Sequence, residues 1–350
     1  MMNDMCVDNV DIVNNADSVN NKDNGLPNDE PDDKTVCEPR LTPPSTEDQW
    51  EPETVAAAPQ KRRLFDGTDN NPITAISILG MYRNDEMYLK YLTKTLTEFE
   101  QTYDVQFSYY FIENNSTDRT REVLKEFMAT RKGRLLLWNL KKDYKNVGDG
   151  RNYDRIKALA KVRNKLVDSC VPFTTDWCLF IDSNIFFPPD ILDNVFTPSR
   201  EPTKNNIGMM TMYTQQMLIP NIHKIKSDRP VLVNHYYDTY PFVDMQDRTH
   251  YPYCAFEHCG MCQKHRKGWM NRSLISSSEK TVDVKSAFGG FVFVRGDILN
   301  DKRIRWDTFS YEITKDESVC EHVFFCDRLR LLSGKRIVVL LDVNKLYRTV

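Results

Sequence analysis

The hydrophobic positions of this chain change period repeatedly between residues 73 and 181. Ile73–Tyr82 is rich in Ile and closes in a polar turn, the pattern of a strand. Glu86–Phe99 then carries Met87, Leu89, Tyr91, Leu92, Leu96 and Phe99 at helical spacing. Val105–Ile112, dense in Phe, Tyr and Val, predicts a second strand. A helix from about Asp118 to Thr130, a strand at Leu135–Asn139, a helix at Ile156–Val167 and a strand at Trp177–Ile181 follow. Strands alternating with helices build right-handed crossovers, so the pattern predicts an α/β fold with a mostly parallel central sheet flanked by helices. Ligands of such sheets sit beyond the carboxyl ends of the strands, which directs attention to Met81–Asp85, Glu113–Arg119 and Asp182–Asn184.

Beyond residue 185 the pattern is less regular. Val231–Cys262 is crowded with Tyr, His, Asp and Cys and reads as an irregular insertion facing a substrate. A strand at Gly289–Val294, a helix near Glu321–Leu332 and a strand at Arg336–Leu341 close the chain. Residues 1–65 are rich in Asn, Asp, Pro and Thr and too poor in apolar side chains to offset their ordering entropy, so a disordered tail is expected. Residues 66–350 are expected to form one domain with order beginning near Pro72, its first half (about 72–185) facing a nucleotide and its second (about 186–350) an acceptor.

Charge sharpens this division. The 350 residues carry a net charge of −3, yet residues 1–60 hold 14 Asp/Glu against 3 Lys/Arg, leaving 44 bases against 36 acids beyond them. A mildly basic body suits an anionic ligand, but it has no Lys/Arg block of the kind that binds nucleic acid. The apolar runs, such as Leu135–Trp138 and Ile337–Leu341, are far shorter than the roughly 20 residues of a membrane helix. No cationic start followed by an apolar core marks a secretory signal. Nine scattered cysteines form no disulfide framework, so a reducing compartment, the cytoplasm, is expected.

Six stretches carry candidate chemistry. Phe111–Thr120 runs an apolar strand into Glu113, Asn115, Ser116, Thr117 and Asp118 before a helix. Ser116, Thr117 or Asp118 can simply cap that helix. Glu113, at the strand tip, is placed to accept from a ribose hydroxyl or a base N–H. Leu179–Phe187 brings Asp182 out of an apolar strand two residues before Asn184. A carboxylate there needs a partner, either a turn leading to Pro188 or a hard cation such as Mn²⁺ or Mg²⁺ bridging to a diphosphate. In Asp154–Asn164, Arg155, Leu159 and Arg163 share a helix face. Arg163 with Asn164 is the candidate clamp for a pyrophosphate, and the lysines are expected to be solvated. Gly289-Gly290 marks either a bend or a close approach of a sugar to the backbone. Glu321 and His322 begin a helix with Phe324 and Phe325, which makes Glu321 a candidate base or hydroxyl-orienting group and His322 a cation ligand or a structural residue. Cys254, Cys259 and Cys262 lie among His250, His258 and His265, but their spacing fits free thiols better than zinc.

Taken in order, these pieces resemble a nucleotide-sugar glycosyltransferase of the GT-A type, in particular the fungal capsule-associated α-1,3-mannosyltransferase family. The resemblance covers about residues 73–348. It rests on Arg83-Asn84 after the first strand, Glu113–Asp118 after the second and the helix Arg155–Asn164. The strand end Phe180–Asn184, the element Tyr237–Tyr240, and Glu321 followed five residues later by Cys326 complete it. It implies a GT-A-like sheet with an irregular acceptor-side insertion, a GDP-mannose donor, a divalent cation and transfer to a hydroxyl of a glycan acceptor. Arg83, Asn84, Glu113, Asn115, Asp118, Arg163 and Asn164 would then bind the nucleotide, and Asp182, Asn184 and His322 the metal. Asp238, Gly289 and Gly290 would meet the sugars. Retention of configuration is implied, with Glu321 orienting the acceptor; an inverting reaction would use Glu321 or Asp307 as base. Relatives carry an N-terminal membrane anchor that is not visible here, which suits a cytoplasmic enzyme, for example of a large virus acting in its host. The family's Asn-Asp-Val is replaced by Asp182-Ser183-Asn184. A nucleotidyltransferase, which would need an early Gly-rich phosphate loop, and a non-catalytic glycan- or protein-binding module are the alternatives.

Overall fold

Five consecutive buried residues, Trp177–Ile181, run through the middle of the largest sheet, as a strand covered on both faces requires. The computed structural model describes residues 10–13, 60–66, 71–140, 152–196, 206–218, 231–236, 238, 240–247, 280–310, 318–343 and 346–349. The first half contains β1 (Val10–Val13), β2 (Leu64–Asp66), β3 (Asn71–Ile73), β4 (Ala75–Tyr82), α1 (Glu86–Thr102), β5 (Gln106–Glu113), α2 (Thr120–Met128), β6 (Gly133–Trp138), α3 (Tyr153–Asp168) and β7 (Trp177–Ile181). The second contains β8 (Ile185–Phe186), α4 (Ile191–Val195), β9 (Ile207–Met212), β10 (Gln215–Leu218), β11 (Val231–Tyr236), β12 (Val243–Asp244) and β13 (Thr281–Ser286). It ends with β14 (Phe291–Arg295), α5 (Gly296–Leu299), α6 (Glu321–Ser333), β15 (Arg336–Leu340) and β16 (Tyr347–Thr349).

The large sheet has ten strands in the order β1-β6-β5-β4-β7-β14-β9-β15-β13-β12. Strands β6, β5, β4 and β7 are parallel, β14 runs antiparallel between β7 and β9, and β9 pairs in parallel with β15. The sheet is thus the expected α/β layer, mostly parallel in its first half and mixed in its second. One apolar cluster joins Leu89, Leu92, Leu96 and Phe99 of α1 and Leu124 of α2 to Ile76 and Ile78 of β4. The other joins Val162 and Leu166 of α3 and Phe325 and Leu329 of α6 to Leu79 and Phe180. Helices therefore cover both faces. Every element belongs to one compact unit, and no helix among the described residues is long and apolar enough to cross a membrane.

Regular structure begins earlier than Pro72. Strand β2 pairs with β3, Leu64 is buried, and Asp66 meets Arg295 at 3.0 Å. Val10–Val13 pairs antiparallel with β6 inside the segment read as a tail. The second half also holds more strands than its pattern suggests. Strand β9 is buried at every position, so it has no alternation to reveal it. The Cys254, Cys259 and Cys262 group, with Tyr237, lies outside the described residues.

This topology gathers the site. The parallel strands end together, with Tyr82 paired to Glu113, and antiparallel pairing of Phe291 with Ile181 brings the preceding Gly289-Gly290 to the same edge.

Candidate active site

Beyond that edge lies a cleft of about 520 Å³, lined from both halves of the chain by, among others, Arg83, Asn84, Asp85, Arg155, Arg163, Asp182, Asn184, Asp238, Glu321, His322 and Arg348. Its first wall is built by two loops that bond to each other. Asn84 and Asn115 both take left-handed backbone conformations, φ 55°, which Asn tolerates better than most residues. The Asn84 N–H donates to Ser116 Oγ at 3.1 Å, and Asn84 Oδ1 accepts from the Thr117 N–H at 2.8 Å. Thr120 Oγ1 accepts from the Asp85 N–H at 2.7 Å, and Asp118 accepts from the Glu86 N–H at 3.1 Å, which caps α1 from the neighbouring loop.

These bonds correct three sequence expectations. Glu113 is fully buried, with one carboxylate oxygen accepting from the Ser116 N–H at 2.7 Å and the other from Arg121 Nε at 2.7 Å. Asn115 exchanges two hydrogen bonds with the Leu140 backbone, and Asp118 also accepts from the Thr120 N–H at 3.0 Å. None of the three lines the cleft. They shape the loop, whereas Arg83, Asn84 and Asn114 reach the hollow. Asp85 reaches it as well, and neither it nor Asn114 was among the expected site residues. Burial raises the Asp85 carboxyl above its usual range, opposed by the Arg83 N–H and the Ser183 hydroxyl and reinforced by Asp182 and Asp118. Its position directly after Arg83-Asn84 was the available signal.

The floor is made where β7 and β14 end. The Asp182 N–H donates to the Gly290 carbonyl at 2.9 Å, and Asp182 Oδ2 stands 3.4 Å from Arg348 Nη1. Gly289 and Gly290 have φ +74° and +70°. A Cβ on Gly290 would stand 2.9 Å from Asp182 Oδ2, so this glycine makes room for the carboxylate. The Gly289 N–H donates to Asp238 Oδ2 at 2.8 Å. Burial pushes the Asp238 carboxyl up to about 6; Arg348 and the Gly289 N–H oppose this, and Asp182 and Glu321 add to it. Arg348 carried no sequence signal, since it sits in a three-residue strand.

The far wall comes from α3 and α6. Arg163 Nη1 and Glu321 Oε1 form a buried ion pair, and both residues face the cleft. Asn164 lies behind this wall, exchanging bonds of 2.8 and 2.9 Å with the Trp306 backbone. Asp307 is also outside the cleft: its side chain is 56% exposed and meets Arg328 at 3.2 Å. As a base for a reaction in this hollow it is misplaced. His322 stacks on Phe288 with ring centres 3.6 Å apart, and its Nδ1 accepts from Trp306 Nε1 at 3.1 Å. Burial, and then the Arg163 charge, hold this imidazole well below its usual pKa. His322 thus lines the cleft with Nδ1 engaged by Trp306 and Nε2 standing 3.7 Å from Glu321 Oε1.

A family model described as Cryptococcal mannosyltransferase 1 matches residues 76–327. No curated protein matches the chain. Among solved structures, S. aureus TarS 1–349 is 16% identical with a TM-score of 0.41, covering 79% of this chain and 60% of that one. The mannosyltransferase PcManGT from Pyrobaculum calidifontis, in complex with GDP-Man and Mn²⁺, is 10% identical with a TM-score of 0.42, covering 79% and 56%. The inositol-1-phosphate CTP transferase from T. maritima is 10% identical with a TM-score of 0.35, covering 79% and 89%. The chain spans about three fifths of the TarS fragment.

Proposed function

The chain belongs to the Cryptococcal mannosyltransferase 1 family, and on that premise we propose that this glycosyltransferase moves mannose from GDP-mannose to a hydroxyl of a glycan acceptor, with retention of configuration. The observation that carries this reading is the mixed charge of one cleft. Asp182 suits a cation and Asp238 a sugar hydroxyl, while Arg83, Arg155 and Arg163 suit a diphosphate. A volume of about 520 Å³ is the size of a small-molecule site.

In this reading Arg83 and Asn84 hold the nucleotide at the tip of β4. Arg155 and Arg163 face the diphosphate and stabilise the negative charge that grows on it as the glycosidic bond breaks. Glu321, neutralised by Arg163, orients the acceptor hydroxyl and is not an unencumbered base. Asp238, held by the Gly289 N–H, accepts from a hydroxyl of the transferred sugar.

The residues also fit a hard cation of the kind bound by one or two carboxylates plus substrate phosphates. Asp182 has a side chain 36% exposed, and Asn184 joins it at the cleft. Among the described residues no group of three or more His, Cys, Asp or Glu stands ready to hold a metal, so the donor's phosphates would complete the set. When bound, the cation would supply Lewis-acid stabilisation of the diphosphate. The same reading places the enzyme in the reducing cytoplasm, where Cys170, Cys178, Cys320 and Cys326 remain free thiols.

The test is a panel of sugar nucleotides read by thermal shift, followed by nucleotide release without acceptor. GDP-mannose with Mn²⁺ should raise the melting temperature and release GDP slowly, and Asp182→Ala should abolish release. A shift with a different sugar nucleotide alone would overturn the mannose assignment. No shift with any would favour a non-catalytic binding module.

A further inference from the structure

Arg348 is a cleft residue that neither the motifs nor the family reading assigns. It lies on β16, whose Arg348 is in register with Ile185 of β8 and with Gln216 of β10. Strand β8 begins immediately after Asp182-Ser183-Asn184. The backbone of β16 is anchored independently of the Arg348 side chain: Leu346 is fully buried and its carbonyl accepts from the Gln215 N–H at 3.0 Å. From there the guanidinium, 22% exposed, brings Nη1 to 3.4 Å from Asp182 Oδ2. Its charge also acts on Asp238, a carboxylate from a different part of the chain. A divalent cation bound by Asp182 would have to share this carboxylate with a guanidinium already beside it, and like charges so close exclude one another.

We propose that Arg348 is the resident counter-cation of Asp182, holding that carboxylate while the donor is absent and keeping free divalent cations off it. Arrival of the donor's diphosphate supplies new negative charge, which takes up the guanidinium and lets the metal reach Asp182. Metal and donor thus enter together, and the metal alone binds poorly. The inference rests on the reading that Asp182 serves the donor's cation, but it does not depend on which sugar or base the donor carries.

The experiment measures Mn²⁺ binding to the full chain without any nucleotide, through the electron paramagnetic resonance signal of free Mn²⁺. Arg348→Met should bind Mn²⁺ about tenfold more tightly than the unmodified protein, the size of coupling typical of competing ligands. Arg348→Lys, which keeps the charge, should bind as the unmodified protein does. Adding Asp182→Asn to Arg348→Met should remove the gain. Equal Mn²⁺ affinity in Arg348→Met and the unmodified protein would overturn the proposal, as would a gain that survives loss of the Asp182 charge. Failure of the mannosyl reading would show up separately, as absent turnover of GDP-mannose with Mn²⁺ binding behaving as described.

Discussion

Arg163 on α3 and Glu321 in the first turn of α6 form an ion pair across 158 residues of sequence, buried at the cleft wall. Together they tie the two helices that cover one face of the sheet. Removing one partner leaves the other charge buried and uncompensated, which costs about 3–5 kcal/mol. Glu321→Ala should therefore lower the urea midpoint by that equivalent, whereas the double change Arg163→Met/Glu321→Leu should recover much of the loss. Equal destabilisation in the single and double variants would show that packing, rather than charge, holds the helices.

Gly290→Ala tests the approach of backbone to carboxylate. The substitution strains a φ of +70° and pushes on Asp182 Oδ2 from 2.9 Å. Strain of this kind costs about 1–3 kcal/mol. Nucleotide release should fall nearly as far as in Asp182→Ala while the protein stays folded. Release at the unmodified rate would mean that Asp182 can move without consequence.

Asp238 predicts a pH dependence of stability. A carboxyl whose pKa is raised to about 6 in the folded protein stabilises it fully below the unfolded value near 4, and that contribution disappears as pH rises through about 6. Asp238→Asn should therefore gain stability relative to the unmodified protein as pH rises from about 4 through 6, by about 3 kcal/mol at most. A difference in melting temperature that stays constant across this range would contradict the assignment.

His322 acts in the opposite sense. Its pKa is depressed, so the unfolded chain takes up the proton first and stability falls as pH drops below about 6.5. His322→Gln, which cannot titrate, should show a shallower acid slope in melting temperature, whatever its packing costs. An unchanged slope would place the imidazole in contact with water.

Glu113 separates a loop-building role from a nucleotide-binding one. Glu113→Gln weakens the bonds to Arg121 and the Ser116 N–H, at a cost of about 1–3 kcal/mol. The KM for the donor should change little, whereas Arg83→Ala should raise it. A donor KM raised by Glu113→Gln without loss of stability would return Glu113 to the cleft.

How much was legible can be judged from neighbouring residues. Trp177–Ile181 matches its strand end to end, because a continuous apolar run before a turn has one good solution. Glu86–Phe99 lies within α1 for the same reason. Strand β9 was invisible, since Gly208 and Thr211 interrupt its apolar run and burial on both faces leaves no alternation to replace it. At the loop tips the motif Glu113–Asp118 stood out, yet Glu113, Asn115 and Asp118 use their polar groups within the protein, while Asn114 between them lines the hollow.

The chain's own pattern thus determined the alternation of strands and helices, the edge where the loops gather, and, through six motifs in order, the resemblance to its family. These are local properties, because hydrophobic period and turn chemistry act over a few residues. The tertiary structure alone decided which polar groups are used up internally and which face the cleft. Asn164 is committed to Trp306, Glu321 to Arg163, and Asp182 meets Arg348. Each of these partners is more than 140 positions away. A hydrogen bond or ion pair depends on distance in space, and only the folded sheet brings those positions together.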